Sequence, residues 1–131
     1  MKLLVIDTNV LIDFCQKPKD FSRSKIASYD RLLIPSTVLG EFKAGIFANK
    51  RGEESSARLQ ELLSCESVKV VPITDQTAEL YAKLYQALSS QGRMIPQNDM
   101  WIAASALENG ADLVSMDDHF RFVPMLTVIN P

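Results

Sequence analysis

Short apolar runs alternate with helical periodicity along the chain, and this alternation limits its fold more than any other feature. Leu3, Leu4, Val5 and Ile6 are an unbroken apolar run, typical of a strand buried on both faces. Further strand-like runs lie at 31–34, 68–71, 112–115 and 127–129. The segments between them repeat apolar residues at helical spacing. The pattern predicts an α/β domain whose mainly parallel sheet is flanked by helices.

Helix boundaries can be predicted from residues that start and stop helices. Helices are predicted after the first strand and over about 22–28, 37–49, 53–65, 75–90 and 98–109. The predicted N-cap residues are Thr8 or Asn9, Ser36, Thr74 or Asp75, and Asn98. Gly92 and Gly110 are expected to follow the last residues of two helices, where a left-handed backbone conformation favours glycine.

Composition narrows the class of protein. A chain of 131 residues with 47% hydrophobic residues is expected to form one domain over 1–131. The net charge of −2 argues against nucleic-acid binding by bulk charge alone. Cys15 and Cys65 form no CxxC pair and His119 is the one histidine, so a zinc site is poorly supported. No targeting or membrane-spanning segment is visible, and we expect a cytoplasmic protein that does not enter membranes.

Four acidic residues are predicted to meet at one end of the sheet. Ligands of open α/β sheets bind beyond the carboxyl ends of the strands, where the strand order reverses. Asp7 directly follows the first strand, and Asp117 lies two residues after the strand at 112–115. Asp99 and Glu41 lie early in predicted helices, beside their apolar faces. Each acid taken alone also fits an ordinary role at a helix start, in a polar turn or on a solvated surface.

If the four acids meet, their mutual repulsion requires either protons or cations. At an effective dielectric of 20, two carboxylates ~5 Å apart repel by about 3 kcal/mol. Oxygen ligands favour Mg²⁺ or Mn²⁺ over zinc or copper. Such ions polarise phosphoryl oxygens, lower the pKa of a bound water and stabilise a leaving oxygen. The cluster is therefore interpreted as a centre for phosphodiester hydrolysis.

These segments resemble the motifs of PIN-domain nucleases. LLVIDTNVLIDF is similar to the first motif, TVLGEF to the second, NDMWIAASAL to the third, and LVSMDDHFRFVPMLTVINP to the fourth motif and the last strand. The resemblance covers nearly the whole chain in the expected order. It implies that Asp7, Glu41, Asp99 and Asp117 are the catalytic and metal-binding acids. Thr8, Asn9, Asn98 and Ser115 would support them.

Within this family the chain is similar in size and motifs to VapC toxins. That resemblance implies a five-stranded parallel sheet, Mg²⁺- or Mn²⁺-dependent cleavage of RNA, homodimerisation and inhibition by a VapB-like antitoxin. Two positions depart from the family's pattern. Met116 stands where a small or polar residue is frequent, and Asp118 stands where a basic residue is frequent. Asp118 leaves open which of two adjacent acids is the ligand, and the spacing from Ser115 favours Asp117.

Other charged residues have a possible but less specific part in the site. Lys43, Lys50, Arg51 and Arg93 are candidate phosphate contacts, although each also fits a solvated surface charge. His119 lies beside Asp117 in sequence and is able to assist proton transfer, but a structural or bystander role is favoured.

Two other classes of α/β protein fit the same residues less well. An aspartyl-phosphate enzyme would need a second acid where Asn9 stands. A receiver domain would need a phospho-acceptor after the third strand, where Pro72 follows instead. The remaining alternative is a PIN-fold module that binds RNA or protein without cleaving. The sequence also does not decide whether such a nuclease is a toxin or a housekeeping enzyme.

Overall fold

A computed structural model describes residues 1–16, 26–48 and 52–131. The β-strands are β1 (Leu3–Ile6), β2 (Arg31–Pro35), β3 (Val68–Val71), β4 (Asp112–Val114) and β5 (Val128–Ile129). The α-helices are α1 (Thr8–Gln16), α2 (Ser36–Phe47), α3 (Gly52–Leu63), α4 (Asp75–Ser90) and α5 (Gln97–Glu108), and a 3₁₀-helix covers Asp118–Phe122. The helix predicted over 22–28 falls mainly outside the described residues.

The strands form one parallel sheet in the order β3-β2-β1-β4-β5. The predicted α/β class with a five-stranded parallel sheet is therefore confirmed. From β1 the chain adds β2 and β3 on one side, whereas β4 and β5 lie on the other. The strand order thus reverses between β1 and β4, where Ile6 is paired with Val114. This is the place where a ligand-binding crevice is expected.

The core is centred on β1 and α5. Leu4, Val5 and Ile6 are fully buried, as their unbroken apolar run predicts for a central strand. Ala103 and Ala106 of α5 are also fully buried. Their small side chains allow α5 to pack closely on the sheet. Within the described ranges, no helix is long and apolar enough to cross a membrane.

Helix α4 begins and ends as predicted. Thr74 caps it, with reciprocal hydrogen bonds between Thr74 and Thr77, and the Glu108 carboxylate accepts hydrogen bonds from both hydroxyl groups. Gly92 and Gly110 have φ values of +65° and +61°, the left-handed conformation predicted after helix ends.

Three other N-cap predictions are wrong. Helices α2 and α5 begin directly after Pro35 and Pro96, with no side-chain cap, so Ser36 and Asn98 lie inside their first turns. The fixed φ of proline favours a helix that begins at the next residue. Helix α1 already begins at Thr8, so neither Thr8 nor Asn9 precedes it.

We predict opposite effects of alanine at two glycines. A Cβ on Gly52 would lie 2.7 Å from the carbonyl oxygen of Ile46, whereas a Cβ on Gly45 would have nothing within 4 Å. Gly52→Ala should lower the free energy of unfolding by about 1–3 kcal/mol through overpacking. Gly45→Ala, inside α2, should raise it by about 0.5–1 kcal/mol. Urea unfolding measures both, and equal effects would contradict the close approach of α2 and α3.

Candidate active site

Asp7 lies at the centre of the site because β1 ends and α1 begins around it. Its side chain is almost fully buried. Oδ1 accepts a hydrogen bond of 2.7 Å from the Thr8 amide. The Asp7 amide donates to the Val114 carbonyl, and the Asp7 carbonyl accepts from the Leu11 amide, at 3.0 Å each. The backbone of Asp7 is thus fixed by the neighbouring strand on one side and by the helix on the other.

Ser115 joins Asp7 to the end of β4. The buried Ser115 hydroxyl donates to Oδ2 of Asp7 at 2.6 Å and accepts from the Asp117 amide at 2.9 Å. One hydroxyl therefore positions two of the predicted acids across the point where the strand order reverses. This is the kind of orienting contact that the family resemblance implies for Ser115.

Asp99, Asp117 and His119 form a second, more exposed part of the site. Nδ1 of His119 lies 3.1 Å from Oδ2 of Asp99 and 3.6 Å from Oδ1 of Asp117. Asp99 is in the first turn of α5, and Asp117 and His119 lie at the start of the 3₁₀-helix. The adjacent Asp118 is exposed, so Asp117 is the acid of this pair that points into the cluster.

Glu41 reaches the site through Thr8. The half-buried Glu41 carboxylate accepts a hydrogen bond of 3.2 Å from Oγ1 of Thr8. Oδ1 of Asn9 accepts from the Met116 amide at 3.4 Å, which ties α1 to the loop after β4. Asn98 is exposed, and its side chain makes no hydrogen bond with the part of the chain that the structure describes. Thr8, Asn9 and Ser115 thus contact the predicted acids or their loop, whereas Asn98 does not.

The carboxyl groups of Asp7 and Asp99 hold their protons more tightly than usual. Burial raises the pKa of Asp7, hydrogen bonds from Ser115 and the Thr8 amide lower it, and the charges of Asp99 and Asp117 raise it again. Burial also raises the pKa of Asp99, the hydrogen bond with His119 lowers it, and the charge of Asp117 raises it. The pKa of His119 is raised chiefly by its hydrogen bond to Asp99. The folded protein therefore concentrates negative charge that needs a proton or a cation.

The donor atoms at the cluster fit a hard divalent cation. Asp99, Asp117 and His119 each offer one ligand atom, and these atoms lie within 4.8 Å of one another. Ligands on opposite sides of an octahedral Mg²⁺ are about 4.2 Å apart, so the spacing needs only a small adjustment. The carboxylate oxygens of Asp99 and Asp117 are ligands of the kind that Mg²⁺ and Mn²⁺ prefer.

His119 is the site residue that sequence reasoning undervalued. A structural or bystander role was favoured for it, and its ring contacts Asp99 and Asp117. Its position two residues after Asp117 carried the signal, because the short 3₁₀-helix brings the two side chains together. Of the candidate phosphate contacts, Lys43 is exposed on α2 and Lys50 and Arg51 lie outside the described residues.

We predict that Asp7→Asn stabilises the metal-free protein in a pH-dependent way. The raised pKa means that the charged carboxylate destabilises the folded state. The destabilisation is complete at pH values above the pKa in the folded protein, and it is absent below 3.8, the pKa in the unfolded chain. The variant should therefore melt roughly 3 °C above wild type at about pH 7. The difference should shrink as the pH falls through the folded pKa towards about pH 4.

Thermal unfolding in EDTA at several pH values measures this difference. Glu79→Gln is the matched control, since it removes one exposed charge from α4, and it should not reproduce the pH dependence. A Tm below wild type at every pH would show that the Asp7 carboxylate is stabilising in the folded protein.

Comparison with known proteins agrees with this geometry. The profile of the PIN domain matches residues 4–124. Ribonuclease VapC1 of Haemophilus influenzae is 34% identical over 116 residues, which cover 86% of this chain and 85% of that protein. Ribonuclease VapC5 of Mycobacterium tuberculosis is 29% identical over 116 residues, covering 88% and 84%.

Solved structures agree as well. VapBC2 of Rickettsia felis, bound to a DNA fragment from its promoter, has a chain 25% identical with a TM-score of 0.86, covering 98% of both chains. A chain of VapBC-1 from nontypeable Haemophilus influenzae is 29% identical with a TM-score of 0.81, covering 98% of this chain and 97% of that one. The family model spans most of the chain, and the chain belongs to the PIN domain family.

Proposed function

We propose that this chain is a Mg²⁺- or Mn²⁺-dependent endoribonuclease, a single PIN domain over residues 1–131 that acts in the cytoplasm as the toxin of a VapBC-type pair. One observation carries the proposal. Asp7, Asp99 and Asp117 interact at the carboxyl end of the sheet, where burial and mutual repulsion raise the pKa values of Asp7 and Asp99. A cluster of mutually repelling carboxylates does not stabilise the fold, but it is suited to binding a cation. The names of the VapC relatives supply the substrate class, RNA.

Asp7, Asp99 and Asp117 would hold the cation, with His119 beside them. When bound, the cation neutralises charge on a phosphoryl group and lowers the barrier to attack at phosphorus. Asp7 and Asp99 are our strongest candidates for direct contact, and Asp117 completes the site or acts through water. Ser115 is a positioning residue, because its hydroxyl fixes the carboxylate of Asp7 and the backbone of Asp117.

Glu41 is proposed to position the attacking water and accept its proton. Its carboxylate is held towards Asp7 by Thr8 and is half-buried. In hydrolysis, a water oxygen forms a new bond to phosphorus while the bond to one ribose oxygen breaks. The proton released by water passes to Glu41, and the departing ribose oxygen takes up a proton. His119, hydrogen-bonded to Asp99, is placed to hold a proton at Nδ1.

We also propose that the chain forms a homodimer and binds a VapB-like antitoxin. The structural relatives are chains of VapBC2 and VapBC-1, which supports a partner of this kind. Phe47 and Met125 are 92% and 98% exposed, and partners commonly cover apolar side chains of this size. Light scattering on the purified chain should give twice the mass of one chain. Adding a VapB-like antitoxin should give a larger, inactive complex. A chain that is monomeric and does not bind such a protein would contradict both assignments.

The metal site predicts a thermal shift that precedes any cleavage assay. Wild type should melt roughly 8 °C higher when Mg²⁺ or Mn²⁺ is present at about 100 times its Kd, because the ion binds only the folded state. Metal-free Asp99→Asn should melt above metal-free wild type and respond less to the ion. The metal-loaded wild type should cleave single-stranded RNA, and Asp7→Asn and Asp99→Asn should lose at least about 100-fold in rate.

Two buried serines provide a matched control for the same assay. Ser115 makes two hydrogen bonds in the site, whereas Oγ of buried Ser105 has no partner among the described residues. Ser115→Ala should lower the rate and the metal affinity about 10- to 100-fold, and Ser105→Ala should change neither. Equal losses of Mn²⁺ affinity at all four acids would contradict the division of roles. No cleavage by wild type with either metal, with RNA binding intact in Asp7→Asn, would identify a binding module.

A further inference from the structure

We propose that Arg93 and Arg121, each in contact with the ring of Phe122, bind RNA phosphate beside the acidic cluster. The proposal rests on the proposed function and adds a substrate-binding site to it. The guanidinium carbon of Arg93 lies 4.5 Å from the centre of the Phe122 ring, and that of Arg121 lies 4.8 Å from it. Both distances are within the range of a cation–π contact. We call Arg93 and Arg121 the arginine pair.

The backbone fixes both members of the pair. Gly92, at φ +65°, turns the chain after α4, and the Arg93 amide then donates to the Leu88 carbonyl at 2.9 Å. Arg121 lies in the 3₁₀-helix, which is anchored by the fully buried Phe120. Two residues 28 positions apart in sequence are thereby brought over one ring. Their meeting is a product of the fold and not of local sequence.

The arginine pair has positive charge without a neutralising partner. Both side chains are exposed, and no carboxylate lies within ion-pair distance of either among the residues described. Guanidinium groups stay charged at neutral pH, so two of them near one ring repel each other. The face of the ring offsets part of this repulsion. Phosphate oxygens that bind these groups would neutralise the remaining charge, and the planar guanidinium suits such oxygens.

The position of the pair near the acidic cluster favours RNA as the ligand. Arg121 follows His119 by two residues, and a 3₁₀-helix rises about 2 Å per residue, so its backbone lies about 8 Å along the helix from Asp117. That distance is within reach of a phosphate next to the one at the acids. The chain has a net charge of −2 and acids at its centre, which repel an RNA backbone. A cationic pair at the rim offsets this repulsion where the strand enters.

Salt dependence of RNA binding tests the proposal. We would measure the Kd of a fluorescein-labelled single-stranded RNA by anisotropy, in EDTA and in an Asp99→Asn background, so that no cleavage occurs. The double variant Arg93→Gln/Arg121→Gln should bind more weakly. Its slope of log Kd against log salt should fall by at least about 0.7, the value for one phosphate contact on a single strand. Both residues are exposed, so the variant should fold with an unchanged Tm.

Lys69→Gln/Lys83→Gln is the matched control, because it removes two exposed positive charges from β3 and α4. Its slope should equal that of the parent protein. Equal slopes in all three proteins would overturn the proposal, and so would an equal decrease of the slope in both double variants. The proposal would also be overturned if Arg93→Gln/Arg121→Gln lost binding to polyglutamate but bound RNA as the parent protein does. That result would assign the pair to binding of an acidic protein.

Cleavage by the metal-loaded wild type is measured separately and decides the proposed function. If wild type cleaves RNA and replacement of the arginine pair leaves the slope unchanged, only the inference about the pair fails. If wild type never cleaves but the slope falls in the arginine variant alone, the pair stands as an RNA-binding site and the nuclease assignment fails.

Discussion

The hydrogen bond between Ser115 and Asp7 is the contact on which the site depends. A carboxylate buried without hydrogen bonds would destabilise the fold by several kcal/mol. The Ser115 hydroxyl and the Thr8 amide satisfy its two oxygens, at 2.6 and 2.7 Å. The same hydroxyl holds the chain that leads to Asp117. One short contact therefore joins the ends of two central strands and makes a buried acid tolerable between them.

The arrangement has an electrostatic cost that the rest of the fold offsets. Asp7 and Asp99 both have raised pKa values, so the folded chain is less stable with both groups charged. The well-packed centre of the sheet, where Leu4, Val5 and Ile6 are fully buried, supplies the opposing stability. A cation that relieved the repulsion would couple folding to binding, as the chemistry of the proposed function requires.

Much of this architecture is predictable from the sequence, for identifiable reasons. The apolar run at β1 and the acid that ends it are local signals, and they located the central strand and Asp7. The expectation that Asp7 and Asp117 lie close together followed from the rule that parallel strands end at one edge of a sheet. Asp99 was placed beside them by its position in the first turn of a helix that packs on the sheet. The resemblance to PIN nucleases agreed with it, and the Thr74 cap was likewise visible because its partner Thr77 is three residues away.

Features that depend on tertiary structure or on competing local signals were not predictable. The N-cap predictions Ser36 and Asn98 were wrong because these helices begin directly after Pro35 and Pro96, one and two residues before the predicted caps. The contact of His119 with Asp99 depends on how the 3₁₀-helix packs against α5, which no periodicity encodes. The same holds for Arg93 and Arg121, which meet over a third residue.

The carboxylate of Glu108 has a consequence that reaches beyond its own helix. It binds the hydroxyl groups of Thr74 and Thr77, so the last residue of α5 is tied to the start of α4. The two helices and their connecting loop then form a closed frame, with Asp99 and Arg93 on the side opposite the tie. Such a frame moves as one piece. The spacing between Asp99 and Arg93 is therefore restrained in part by a contact at the far end of the two helices.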